Sequence, residues 1–231
     1  MKAADLCACD IAVQETDLRV MTDKPVDKIF LKTVVTKYRR DIEKYISRDP
    51  GFLTSLVPVA VELNAPSIVR KMCAAALAAD VGPMAAVAGA IAQFAGEALL
   101  RRGLKDVIIE NGGDIFLKIG RECKLGIYSG KSRLLRGLSL KIKSTDTPMG
   151  ICTSSGTIGH SLSFGCADSA VILAKNAILA DAVATAACNR VKSKADLDTA
   201  IDFTRSVRGV YGAVIILKNN LASWGKVEFL K

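Results

Sequence analysis

One histidine, His160, serves all 231 residues, and aromatic side chains make up only 5% of the chain. The first scarcity excludes metal centres and catalytic sites assembled from several imidazoles. The second speaks against a surface that stacks single-stranded nucleic acid on rings. Cysteine gives no framework either: seven stand at 7, 9, 73, 123, 152, 166 and 188, an odd number with neither paired metal spacings nor a secreted disulfide pattern. A long unbroken apolar run is also missing. Met72 to Leu100 comes nearest, but Asp80, Gly82-Pro83, Gln93 and Glu97 interrupt its alanines and glycines, which predicts two buried helices and no membrane span. Met1 to Asp10 holds Leu-Cys-Ala-Cys with Asp5 before it and no apolar h-region, so no export signal is expected and the reducing cytoplasm is the expected compartment.

What is present is apolar aliphatic residue in quantity. Half the chain is hydrophobic, enough for a substantial core. The formal charge of +9 is uneven: from Lys118 to Lys143 there are eight Lys or Arg against the single Glu122. Such a segment attracts nucleic acid, a phosphorylated coenzyme or only water, and with no nucleic-acid signature beside it nucleic acid is not expected as a partner.

The richest stretch runs from Gly150 to Asn189. Hydroxyls and glycine crowd Cys152 to Gly159, predicting a loop in which Thr153, Ser154, Ser155, Gly156 and Thr157 cradle a phosphate or carboxylate. Ser169 to Ala174 has strand length, and Lys175 to Asn189 switches to helical character. In that helix Asp181 and Thr185 are four apart and share a face, offering two oxygens to a hard cation such as Mg²⁺. The plainer alternative is a solvated Asp and a Thr bonded to its own backbone. Upstream, Asp106 to Glu110 reads as a buried strand leading into Asn111-Gly112-Gly113-Asp114, where two glycines let a ligand touch backbone N–H groups or simply turn a hairpin.

The remaining elements are an opening strand or hairpin over Ile11 to Met21 and a helix capped by Thr22 or Asp23, with Pro25 in its first turn, running to Asp49-Pro50-Gly51. An irregular segment from Phe52 to Leu63 and two helices, Pro66 to Ala79 and Met84 to Arg102, follow. Ile115 to Ile119, Lys124 to Tyr128 and Leu138 to Ile142 suggest an antiparallel meander. Asp196 to Ser206 reads as a helix, before a hairpin of Val210 to Leu217 and Ala222 to Leu230 turning at Asn219-Asn220. A helix pair followed by paired strands thus occurs twice, a hint of duplication.

The order of these landmarks resembles the ApbE-like superfamily, best known for Mg²⁺-dependent FAD:protein FMN transferases. The matching positions are Val87 to Gln93, then Gly112-Gly113-Asp114-Ile115, Thr153-Ser154-Ser155-Gly156, His160, and Ala180-Asp181-Ala182-Val183-Ala184-Thr185-Ala186. The resemblance implies an α+β fold with antiparallel sheets packed against helices, one domain of two related halves (about 1–145 and 146–231). It also implies Asp181 and Thr185 as metal ligands, helped by a backbone carbonyl near Val87. Ala88 replaces the family's Lys or Glu, Gln93 replaces its Asp, and the D-P-x-T-G segment after the histidine is missing. The chain as a whole, CTSSGTIGHSLSFG at 152–165 included, resembles a branch of the superfamily with no assigned activity.

Three functions follow as expectations. The first is an enzyme that holds Mg²⁺ and FAD, FMN or another phosphorylated nucleotide, with His160 as general acid or base in phosphoryl transfer or pyrophosphate cleavage. The second binds such a ligand without converting it, or serves in a homo-oligomer. The third makes Cys152 a nucleophile with His160 as its base.

Overall fold

The structure, a computed structural model, describes residues 6–128, 135–156 and 165–230. Alternating apolar residues build two opening strands, β1 (Cys7–Val13) and β2 (Thr16–Thr22), paired antiparallel with Ile11 opposite Leu18. Leu18 and Val20 face a helical layer, while Met21 faces the other way. Three helices follow: α1 (Lys28–Arg48), the short α2 (Gly51–Thr54) and α3 (Ser67–Ala79). The α1 cap is Asp27, which accepts N–H bonds from Ile29 and Phe30 at 3.0 Å, and not the expected Thr22 or Asp23. Those two are otherwise engaged: Thr22 pairs with Val107 at the end of β2, and Asp23 accepts the N–H groups of Lys105 and Asp106.

After a 3₁₀ turn at Pro83–Ala86, α4 (Val87–Arg101) leads to the hairpin of β3 (Val107–Asn111) and β4 (Asp114–Lys118). The expected meander ends here. β4 pairs next with β7 (Met149–Ser154), whereas β5 (Cys123–Gly126) and β6 (Ser139–Ile142) form a separate hairpin. β8 (Ser169–Ala174), α5 (Ala177–Arg190), α6 (Leu197–Ser206), β9 (Val210–Leu217) and β10 (Asn220–Gly225) complete the main sheet. The last hairpin turns at Lys218 and Asn219, one residue earlier than expected, and Phe229–Leu230 forms β11, which pairs with β6 instead of extending β10.

Eight strands therefore lie in the order β1-β2-β3-β4-β7-β8-β9-β10, antiparallel throughout. Helices cover one face. The small sheet β11-β6-β5 covers part of the other, where Leu125, Leu140 and Ile142 meet Ile108, Leu117 and Ile151. The α+β class matches the sequence reading, and the element order α3-α4-β3-β4 is followed later by α5-α6-β9-β10. The Pro83–Arg101 stretch is long and apolar enough to cross a membrane, yet 67% of it is buried inside the fold, as a core helix is.

Part of the basic segment is paired within the chain. Lys141 pairs with Glu122 at 2.9 Å, and Lys143 with Glu228 at 3.0 Å. Residues 129–134 of that segment lie outside the described residues.

Candidate functional site

The site grows from the way α4 meets α5. Every residue of α5 from Ala177 to Cys188 is buried, so this helix has no solvated face and its small side chains admit close neighbours. At Gly89 a side-chain carbon would collide with the Ala177 carbonyl and press on Asp181 Cβ, so glycine is required. The contact lets Asp181 Oδ2 accept the Gly89 N–H at 2.8 Å, and the carboxyl also accepts the Ala88 N–H. The residue that precedes α4, Ala86, has no side-chain oxygen to cap the first turn. Asp181 supplies that cap from a different helix. Thr185, one turn further along α5, is also buried.

A second carboxylate arrives from the sheet. Gly112 and Gly113 turn the β3–β4 hairpin with φ of 62° and 104°, the positive values that a two-residue turn demands. Asn111 Nδ2 donates to the Ala88 carbonyl at 3.1 Å and ties this turn to the start of α4. Strand alternation then puts Asp114 with Phe116 on the helical face. The Asp114 carboxyl accepts the Thr153 N–H and stands beside the Cys152 thiol, but its Oδ1 is buried with no hydrogen-bond partner.

Burial pushes both carboxyls above the usual carboxylate range, and for Asp181 the charge on Asp114 adds to the effect. Neither nearby arginine relieves them. Arg39 gives its guanidinium to Gln14, Glu15 and Thr16 on the β1–β2 turn. Arg190 donates to the Ala186 carbonyl at 2.9 Å and lies 3.6 Å over the Phe203 ring.

Two clefts flank the pair. One of about 800 Å³ is lined by Asp181 and Thr185 with Arg190 and the apolar Leu53 and Leu56. The other, about 630 Å³, is lined by Asp114, Asn111 and Gly112, with Arg39 across it. Leu53, Met84, Val87 and Ala88 border both, so a single elongated ligand can reach from one to the other past α4.

The structure brings Asp181, Thr185, Val87, Gly112 and Asp114 together around these clefts. It corrects the start of the loop read over Cys152 to Gly159, because the strand β7 continues through Ser154; Ser155 and Gly156 do leave the strand. Ser154 pairs with Ala170, and its Oγ is buried without a partner. Thr153 pairs with Val171, and alternation puts its side chain on the sheet face away from Asp114; its backbone N–H is what serves the site. Apolar neighbours in β8 impose this, for hydroxyl residues go wherever a ladder is offered. Ser155 follows the strand, half-buried. Gly156 is packed on the Gly165 backbone, where a side chain would collide, and its N–H donates to Ala167. Thr157 and His160 lie outside the described residues.

Cys152 is not placed as a nucleophile. Its thiol is buried, donates to the Ala177 carbonyl at 3.3 Å, and is pushed well above its ordinary range by burial and by the two carboxylates. Gln93, where the resembling family has Asp, accepts the Ala177 N–H at 2.9 Å and donates to Glu97, stapling α5 to α4. Sequence reasoning missed this staple, as it missed Asn111 and the Leu53–Leu56 wall. Only Asn111 left a signal, by its place before the two glycines.

The donor set suits Mg²⁺. A buried carboxylate oxygen with no partner, a second carboxylate and a hydroxyl, with no balancing cation among the described residues, are hard oxygen ligands short of positive charge. No cluster of three or more His, Cys, Asp or Glu is present among the described residues, so an ion here would rely on ligand phosphates or water to complete its shell.

Comparison with known proteins agrees with this architecture. The family model described as AbpE bacteria matches residues 2–222. A UPF0280 protein of Methanocella arvoryzae is 43% identical over 93% of this chain and 87% of its own length, and another, of Methanocaldococcus jannaschii, is 38% identical over 95% and 91%. Among solved structures, the flavin transferase ApbE of Vibrio cholerae superposes with a TM-score of 0.64 at 13% identity, covering 96% of this chain and 97% of that one. The ApbE protein of Thermotoga maritima gives 0.63, also at 13% identity, over 96% and 97%. At that identity the likeness is one of fold. With residues 2–222 matched by the family model and over nine tenths of the chain by relatives of this kind, the chain belongs to the ApbE-like family, in the branch formed by the UPF0280 proteins.

Proposed function

We propose that this protein binds Mg²⁺ together with a flavin nucleotide, FAD or FMN, or a similar phosphorylated ligand laid across the two clefts, and that where the ligand carries a pyrophosphate, as FAD does, it cleaves or transfers there. The observation that carries this reading is the pair of buried carboxylates, Asp114 and Asp181, with an Oδ1 that has no partner and no cationic side chain to balance it among the described residues. Asp181, Thr185 and Asp114 would hold the ion, with a backbone carbonyl near Val87. Bound Mg²⁺ supplies neutralisation of charge on the phosphate oxygens.

The chain's own groups bind and orient. Leu53, Leu56 and Met84 wall one end of the ligand from water, and the open Gly112-Gly113 turn leaves its backbone accessible at the other. In the reaction one P–O bond of the pyrophosphate breaks as the oxygen of water or of an acceptor hydroxyl joins phosphorus. The attacking proton goes to His160, the proposed base, and a nucleoside monophosphate departs.

A second reading, binding without conversion, is favoured by Ala88, which carries no functional group, and by Gln93, whose amide is engaged in the staple. One titration addresses both. Flavin fluorescence is followed on adding FAD and FMN with Mg²⁺ and with chelator, and the same samples are assayed for cleavage. Saturable Mg²⁺-dependent binding that disappears in Asp181→Ala is the expected result; AMP formation then distinguishes enzyme from binder. Absence of binding under every condition sinks the flavin reading.

A further inference from the structure

Further along the same two helices lies a concavity that the proposed function does not use. It measures about 250 Å³, and three cationic residues line it from separate elements: Lys71 of α3, whose ammonium lies 4.7 Å over the Phe94 ring, Lys175 between β8 and α5, and Arg208 between α6 and β9. Glu97 is its one carboxylate. That carboxylate is already drawn elsewhere. Its Oε1 accepts from Gln93 at 2.8 Å and lies at the outer limit of ion pairing, 4.0 Å, from Lys71, while its Oε2 is 3.8 Å from Arg101. Gln93 in turn is fixed by the Ala177 N–H, so Glu97 is not free to swing across the pocket. Lys175 and Arg208 have no ion pair among the described residues.

Lys175 is also seated. Its backbone N–H donates to the Gly209 carbonyl at 2.8 Å, and its stem runs over Gly209, where an added Cβ would come within 2.8 Å of Cδ and 3.0 Å of Cε. Gly209 has φ of 98°, so the backbone that accommodates the stem also favours glycine. Like charges held together around a concavity repel one another unless an anion joins them, and charge-assisted bonds to phosphate are among the strongest available. The volume suits one phosphate group and is far below that of either cleft at the carboxylate pair.

We propose that Lys71, Lys175 and Arg208 form an anion site for a phosphate group, free or as a monoester, separate from the Asp114–Asp181 site. The test is calorimetric titration of the full chain in chelator with inorganic phosphate and, in parallel, with glycerol 3-phosphate. Three variants are compared: Lys175→Ala with Arg208→Ala, Lys71→Gln, and Asp181→Ala. Saturable binding of either probe is expected in the parent and in Asp181→Ala, weakened roughly tenfold or more in the double variant and less in Lys71→Gln. Tighter binding of the ester assigns the phosphate to a larger ligand, and equal binding to the free ion. These cations are exposed at the surface, so unchanged unfolding curves are expected for the variants that remove them. Absence of saturable heat, equal affinity in the double variant, or loss of binding in an Asp181→Ala protein whose unfolding curve shows it folded at the titration temperature overturns the proposal; the last outcome would move the anion to the carboxylate site.

Discussion

The small sheet and the α4–α5 junction handle charge in opposite ways. On the small sheet, two lysines of the basic segment and one beyond it sit within reach of partners, Lys141 beside Glu122 and Glu228, Lys143 beside Glu228, with Lys226 on Asp146 nearby. At the junction two carboxylates that no charge count would notice are buried with no cation beside them among the described residues. Exposed pairs are screened by water and contribute little, whereas a buried charge left unbalanced is costly. The contrast teaches that function is to be sought where the fold leaves charge unresolved, and not where the sequence piles it up.

The sharpest way to break the comparison is Asp181→Ala. Mg²⁺-dependent flavin binding is expected to fall by about a hundredfold or more, since truncating one group of a buried charged site costs about 3–5 kcal/mol. Asp181→Asn, which keeps an oxygen for the α4 N–H groups, should lose metal binding while unfolding closer to the parent in urea. Gly89→Ala comes next: overpacking against the Ala177 carbonyl should destabilise the fold by about 1–3 kcal/mol, read from the urea midpoint. Asp114→Asn should act with the opposite sign on the metal-free protein, stabilising it by about 1–3 kcal/mol in chelator because an unpartnered buried charge is removed, yet weakening the response to Mg²⁺. A loss of stability in that variant would show that the buried oxygen is not the liability described here. Smallest of all, Lys141→Ala should leave the urea midpoint within error, with any change vanishing in high salt.

Much of this was legible in the chain. The α5 helix, the Asp181–Thr185 spacing and the β3–β4 turn are local features, written in periodicity and glycine. What escaped depends on partners distant in sequence. The end of β7 reads as a loop by composition, but β8 and β4 recruit it into the ladder. The segment between β4 and β7 reads as meander, because alternation gives strands without saying which sheet receives them. Asp114 reads only as the end of a glycine turn that a ligand could touch. Its burial beside Asp181 follows only from the parity of β4 and from the close approach that Gly89 permits.

The cap that Asp181 gives to α4 makes the site its own reporter. Two amide protons, on Ala88 and Gly89, are shielded by the very carboxylate that an incoming cation would enlist. Their exchange with solvent deuterium is therefore tied to occupancy: a cation that draws Asp181 away frays the first turn, and one that immobilises it slows the exchange. Either change would register occupation of the site without any knowledge of the ligand's identity.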